Sequence, residues 1–277
     1  MVVPVDGYVE VADARLHFLD WGGDGPPLVL VHATGFHAHM WDWYAARLGE
    51  RFRVIALDQR GHGDSSQPAT PIAWAQFPDD LFALIAALGI EGCYAAGHSS
   101  GGFAVGVCAG RHPGTIREMV LIDPVLNARR DTSGPGMENP MAARTLRRRS
   151  AWESPRQFAA AMASRAAFAH WRPPFIDLYA EYGLRRRPDG HYELKCPPAI
   201  EAQVYAQSGS YDPWPALSRI TAPTLLIRAT AVEGETTVLP VDAATRIPGC
   251  REQTSPTTHF IPMEEPELVL AALEGMT

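Results

Sequence analysis

Ser99 stands in Gly97-His98-Ser99-Ser100-Gly101, a match to Gly-x-Ser-x-Gly. The apolar run before it, ending at Gly97, reads as a short buried strand, and Phe103 to Ala109, with no proline, reads as the helix that leaves it. In such a strand-turn-helix, small residues on both sides let strand and helix close together, and the serine is lifted out of the sheet on a strained corner. It then stands at the start of a helix whose free N–H groups favour developing negative charge. The chemistry this fits is acyl transfer. A serine hydroxyl is a poor nucleophile unless an imidazole within reach accepts its proton, and a carboxylate must hold that imidazole in the right tautomer.

The elements that would position these groups follow in order. Tyr8-Val11 and Arg15-Trp21 alternate apolar and polar, which predicts an antiparallel hairpin. Leu28-Val31 is a continuous apolar run, the pattern of a strand covered on both faces, and Arg53-Leu57, Met119-Ile122 and Pro223-Ile227 read as further strands. Helical patterns over Trp41-Leu48 and Pro78-Leu88 separate them, the second stopping at Gly89. Regular alternation of strand and helix predicts a mostly parallel sheet with helices on both faces. The alternation breaks between Asp123 and Pro223, in a segment of Ala- and Arg-rich helical stretches, aromatics and proline breaks. Arg251-Thr254 then reads as a short edge strand, and Pro266 to Leu273 as a closing helix.

The 277 residues suit one large α/β domain or a core with an insertion, and 46% apolar with 20% charged residues is ordinary for a soluble protein. A net charge of -7 argues against a general nucleic-acid binder. The charge is uneven: Leu126 to Leu217 carries a balance of +4 and the rest -11. Cys93, Cys108, Cys196 and Cys250 have no metal-ligand or disulfide-framework spacing, which fits a reducing compartment. With no apolar run long enough for a membrane span and no basic leader pattern at Met1-Asp6, the expected location is cytoplasmic.

Taken together the residues resemble the α/β-hydrolase superfamily over nearly the whole chain apart from the middle segment. Four signals fall in the family's order: a strand ending in His32 with Trp41 nine residues on, the turn Asp58-Gln59-Arg60-Gly61-His62-Gly63, the Gly97-Gly101 elbow, and His259 before Phe260. The resemblance implies an α/β fold, a mostly parallel eight-stranded sheet with helices on both faces and a helical cap insertion. Its core would comprise residues 1–125 and 218–277 and its cap residues 126–217. It makes Ser99 the nucleophile and His259 the base, in the chain order Ser, acid, His. The backbone N–H groups of Thr34 and Ser100 become the oxyanion donors. The sequence has His32-Ala33 where the family usually has His-Gly, and alanine disfavours a left-handed backbone, which leaves the path of this loop open.

For the acid, the family usually places Asp in the loop after the strand matched by Leu225-Ile227, where an ungapped match puts Val232, with Glu233 adjacent and Glu235 beyond. Some members take the acid from the end of the preceding strand. Asp123, 24 residues after Ser99, fits that arrangement and is the preferred candidate, with Glu233 and Glu235 left open. The function implied is cleavage of a carboxylic ester or lactone through an acyl-enzyme. A carbon–carbon hydrolase for β-diketone-like substrates uses the same three residues, and a non-catalytic ligand-binding protein on the same fold is a further alternative. A serine at the elbow excludes dehalogenase and epoxide-hydrolase chemistry, which need a carboxylate nucleophile. No cofactor or metal is implied, and the expected partner is a small-molecule ester or lactone, not nucleic acid or membrane; the oligomeric state is left open. In the cap, Trp152, Phe168, Trp171 and Tyr179 are candidates for lining an apolar pocket. The consecutive clusters Arg147-Arg149 and Arg185-Arg187 would splay around a helix and read as solvated.

Overall fold

A computed structural model describes residues 3–68, 71–127, 139–231 and 239–277. The opening hairpin is β1 (Val5–Val11) and β2 (Ala14–Gly22), paired antiparallel. Then come β3 (Pro27–Val31), α1 (Asp42–Leu48), β4 (Arg53–Leu57), α2 (Gln76–Leu88), β5 (Cys93–His98), α3 (Ser100–Arg111) and β6 (Ile116–Ile122). The middle segment contributes α4 (Pro140–Leu146), β7 (Ala151–Trp152), α5 (Pro155–Ala163), α6 (Phe175–Tyr182), β8 (Leu184–Arg186), β9 (Tyr192–Leu194) and α7 (Pro198–Ala206). The sheet resumes with β10 (Thr224–Ala229) and β11 (Cys250–Ser255), and a helix over Pro266–Glu274 closes the chain.

The eight-stranded sheet has the order β1-β2-β4-β3-β5-β6-β10-β11. Pairing is antiparallel for β1 with β2 and β2 with β4, and parallel from β4 onward. Along the central strands, alternate side chains enter two different cores. Leu28 and Leu30 of β3 join Tyr94, Ala96, Val120 and Ile122 on one face, while Val29 and Val31 join Cys93, Ala95, Met119 and Leu121 on the other. The uninterrupted apolar runs thus reflect burial of both sheet faces, as the period of two requires.

The parallel register lines up the strand ends that carry chemistry. Val31 pairs with Gly97, His98 with Ile122, and Ile122 with Ile227. His32, Ser99 and Asp123 therefore leave β3, β5 and β6 at one edge of the sheet, where the crevice of an open α/β sheet lies.

The middle segment departs from the helix-only expectation. Besides its helices it holds a small antiparallel sheet, β7-β9-β8, whose strands are two or three residues long, too short to imprint an alternating pattern. Polar ties fasten it to the sheet domain. Lys195 pairs with Asp64 at 2.5 Å, the Arg172 N–H donates to the Met263 carbonyl at 2.9 Å, and the Trp74 indole N–H donates to the Val204 carbonyl at 2.8 Å. Among the described residues, no helix is long and apolar enough to cross a membrane.

A buried ionic knot braces the ends of β2 and β4. Both nitrogens of His17 meet carboxylates, Nδ1 to Asp58 at 2.7 Å and Nε2 to Asp6 at 2.9 Å, and Asp58 also accepts from the Ala38 and Asp64 N–H groups. Burial alone would push the His17 pKa down, but the hydrogen bonds of Asp58 and Asp6 and the charges of Asp58 and Asp64 outweigh it and hold it above the ordinary value. A raised folded-state pKa stabilises fully below the unfolded value of 6.5 and loses that stability as pH rises through the folded value. His32, His37, His62, His98 and His112 are shifted down, so their linkage acts below 6.5, while the carboxyls of Asp80 and Glu201, raised by burial, act in the same direction as His17. The melting temperature is expected to fall between about pH 6.5 and 8, before free thiols titrate, and His17→Gln should flatten that slope in a thermal-melt series.

Candidate active site

Ser99 has φ 57° and ψ -114°, one of two non-glycine residues with positive φ among the described residues; the other is Asp123 at φ 38°. The corner at Ser99 is enforced by close packing. A Cβ on Gly97 would lie 2.2 Å from the Gly101 carbonyl oxygen, and one on Gly101 would lie 2.3 Å from that of Val31. No side chain fits at either position, so the start of α3 approaches β5 at Gly97 and β3 at Gly101 as only glycine permits. The Ser99 N–H donates to the Ile122 carbonyl at 3.0 Å, and its own carbonyl accepts from the Val125 N–H at 3.2 Å. The candidate nucleophile is thereby stitched to residues on both sides of Asp123.

His259 lies in the loop after β11. Its Nδ1 is 2.6 Å from Asp123 Oδ2, an N–H donated to a carboxylate, which assigns the lone pair to Nε2. The second oxygen of Asp123 accepts from the Ala229 N–H at 3.3 Å, and the Asp123 N–H donates to the Ile227 carbonyl at 2.7 Å. The end of β10 thus supports an acid carried by its neighbour β6. Glu233 and Glu235 lie outside the described residues.

The loop after β3 is a tight turn. The Phe36 N–H donates to the Ala33 carbonyl at 3.1 Å, and Gly35, at φ 85°, takes the left-handed position. Ala33 has no positive φ, so the alanine in place of glycine is accommodated without strain. His32 fixes the turn from behind: its Nε2 accepts from the Gln59 N–H at 3.0 Å, and its Nδ1 donates to the Ala33 carbonyl at 2.8 Å. Burial holds the His32 pKa below the ordinary value despite Asp58, in keeping with a neutral ring that both donates and accepts. In a trans peptide C=O and N–H point opposite ways, so fixing the Ala33 carbonyl fixes the direction of the Thr34 N–H. The Ser100 N–H is an orphan donor at the first residue of α3. Gln59 joins the two, its Nε2 donating to the His32 carbonyl at 2.6 Å and to Ser100 Oγ at 3.2 Å.

Of the aromatics singled out from the sequence, Phe168, Trp171 and Tyr179 form one cluster with Phe36 and Phe260. Phe36 meets Trp171 and Tyr179 edge-on at 5.5 and 5.1 Å, and Phe260 lies 5.3 Å from Trp171 and 5.8 Å from Phe168. Trp152 meets Phe158 edge-on at 5.1 Å and reaches the cluster through that ring. Phe36 and Phe260 carry no pocket signal in the sequence beyond their proximity to Thr34 and His259. Arg148 corrects the solvated reading of its triplet: it pairs with buried Glu201 and donates to the Tyr179 hydroxyl at 3.0 Å. The triplet lies in the turn after α4 rather than on a helix, and the chain there directs Arg148 inward. Glu201 in turn packs against Gly35, where an added Cβ would lie 2.9 Å from its Oε1.

Residues 28–272 match the alpha/beta hydrolase family. The chain belongs to that family. It is 37% identical over 132 residues to the N-formylmaleamate deformylase of Pseudomonas putida, covering 47% of each chain. It is 36% identical over 137 residues to a non-heme chloroperoxidase of Streptomyces lividans, covering 47% of this chain and 50% of the other. The matched stretch thus spans about half the length of these curated relatives. Among solved structures, E-2-(acetamidomethylene)succinate hydrolase superposes with a TM-score of 0.81 at 25% identity, covering 98% of this chain and 97% of the other. The grouping His17, Asp58 and Asp64 has a spacing a metal could use, but its ring nitrogens and carboxylates are taken up by the ionic knot and Lys195.

If Asp123 sets the tautomer of His259, Asp123→Asn should lower turnover on the order of 10⁴-fold. Asparagine tolerates a left-handed backbone, so the melting temperature should stay near that of the wild type; a variant retaining full turnover would remove Asp123 from the site.

Proposed function

We propose that the chain is a serine hydrolase that cleaves a carboxylic ester or lactone through an acyl-enzyme, with Ser99 as nucleophile, His259 as general base and Asp123 as the acid that orients it. The observation that carries this reading is the 2.6 Å bond from His259 to Asp123 at the strand end beside the Ser99 corner. In the first half-reaction the Ser99 hydroxyl adds to the substrate carbonyl as its proton passes to His259 Nε2. The tetrahedral oxyanion faces the N–H groups of Thr34 and Ser100, preorganised by the turn at Gly35 and the start of α3. Collapse expels the leaving group, which takes the proton from His259. In the second half-reaction water, deprotonated by His259, releases the acid and regenerates Ser99.

A second reading keeps the same residues and replaces the ester by an amide-type carbon–nitrogen bond. It is favoured by similarity to a deformylase and, over nearly the full length, to an acetamidomethylene-succinate hydrolase. The proton that His259 returns would then go to nitrogen rather than oxygen. Residues 126–217 act in either case as a cap over the strand ends. Phe168, Trp171 and Tyr179, packed with Phe36 beside the oxyanion turn and Phe260 beside His259, supply an apolar wall to the cleft.

Ser99→Ala is expected to lose about four orders of magnitude in turnover and to abolish labelling by a fluorophosphonate. Unchanged hydrolysis in a host-esterase-free preparation would refute the serine mechanism. Assaying p-nitrophenyl acetate, an enol lactone, an N-acyl enamide and a β-diketone side by side distinguishes oxygen, nitrogen and carbon leaving groups. Phe168→Ala should reorder preference among bulky acyl groups while a small activated ester is still cleaved; an equal loss on all substrates would make the cap aromatics scaffold only.

A further inference from the structure

His98 occupies the x before the serine in Gly-x-Ser-x-Gly, a position whose side chain the proposed chemistry leaves idle. It is the last residue of β5, 1% exposed, and its Nε2 lies 2.8 Å from the backbone carbonyl oxygen of His259, across 161 residues of chain. A carbonyl can only accept, so Nε2 carries the proton and Nδ1 the lone pair. That Nδ1 is buried with no hydrogen-bond partner among the described residues.

The combination is informative. Burying an imidazole with one polar atom unsatisfied is unfavourable, and an apolar side chain of similar size would fill the space without that cost. What the imidazole contributes, and an apolar side chain would not, is the bond to the His259 carbonyl. The rings of His98 and His259 are 5.0 Å apart and tilted at 41°, so the link runs from ring to backbone and leaves the His259 imidazole to Asp123. The other polar supports of this loop lie on its flanks: the Thr257 carbonyl accepts from the Ala231 N–H at 3.0 Å, Thr258 is held through its N–H and hydroxyl by Glu264, and the Phe260 N–H meets Thr258 Oγ1.

We propose that His98 is a positioning residue for His259, a strut that fixes the backbone of the candidate base relative to the nucleophile. This rests on the reading of Ser99 and His259 given above. The path from nucleophile to base is one peptide bond, one side chain and one hydrogen bond, and it begins at a corner whose backbone the glycines already immobilise. Asp123 governs the tautomer and orientation of the ring; His98 governs where the ring is attached.

The test compares His98→Leu, His98→Phe and His98→Gln with the wild type. Leucine and phenylalanine remove the donor, the second keeping ring volume should the first fail to fold. Glutamine presents an amide N–H at similar reach. With p-nitrophenyl acetate, the donor-free variants should lose about tenfold to a hundredfold in kcat with KM changed less than about threefold, and His98→Gln should recover most of the loss. In proton NMR, the low-field resonance of the His259 Nδ1–H bonded to Asp123 should weaken in the donor-free variants and persist in His98→Gln. Wild-type kcat and an unchanged resonance in a folded donor-free variant would overturn the proposal, as would His98→Gln behaving like His98→Leu. The resonance does not depend on turnover: if it responds as expected while Ser99→Ala retains wild-type activity, His98 keeps its positioning role and the serine mechanism is what fails.

Discussion

The close approach of the start of α3 to β5 at Gly97 and to β3 at Gly101 is the constraint from which the rest of the site follows. Backbone meets backbone there with no room for a β-carbon, and the chain can reverse from strand to helix only by standing Ser99 on a left-handed corner. Because β5 is a central strand, that corner inherits a register shared with β3 on one side and β6 on the other. The turn at Gly35 and the carboxylate of Asp123 are therefore placed by the same ladder that places the serine. Only His259 stands beyond a strand end, in the loop after the edge strand β11; backbone bonds from Thr230 and Ala231 carry the β10 pairing to Thr257, and side-chain hydrogen bonds complete its placement.

That difference explains what could be read from the sequence and what could not. Strands such as Leu28–Val31 and Arg53–Leu57 are legible because burial of both sheet faces leaves an uninterrupted apolar run. The elbow is legible because its glycines fall in one short contiguous motif, although Gly97 is required by contact with α3 and Gly101 by contact with β3. The acid was not resolved between Asp123 and the glutamates after β10, because the choice depends on pairing between β6 and β10, which lie about a hundred residues apart along the chain and touch only in the sheet. What identifies Asp123 as the partner of His259 is the backbone of its neighbour: Ile227 and Ala229 bond to it, and no residue type reports that in advance.

The middle segment shows the same limit at a larger scale. Its strands β7, β8 and β9 are shorter than a period-two pattern can reveal, and Arg148 is indistinguishable by composition from Arg147 and Arg149 on either side of it. Yet Arg148 and Glu201 form an inward-facing pair within the segment, and Glu201 packs against the turn at Gly35. Buried pairs of this kind contribute less net stability than their geometry suggests, but they strongly penalise arrangements in which one partner is left alone. Here that penalty holds the stretch after α4 against α7 within the segment, beside the turn at Gly35.

The two left-handed corners, Ser99 and Asp123, also bear on how such a protein could be made more robust. Holding a residue with a β-carbon in that region costs on the order of 1–3 kcal/mol, and these corners sit side by side in a domain whose whole margin is about 5–15 kcal/mol. Selection for thermal endurance alone would favour glycine at both positions. Screens for heat-tolerant variants that do not also score turnover would therefore drift toward an inert scaffold, losing first the residues proposed to carry the chemistry.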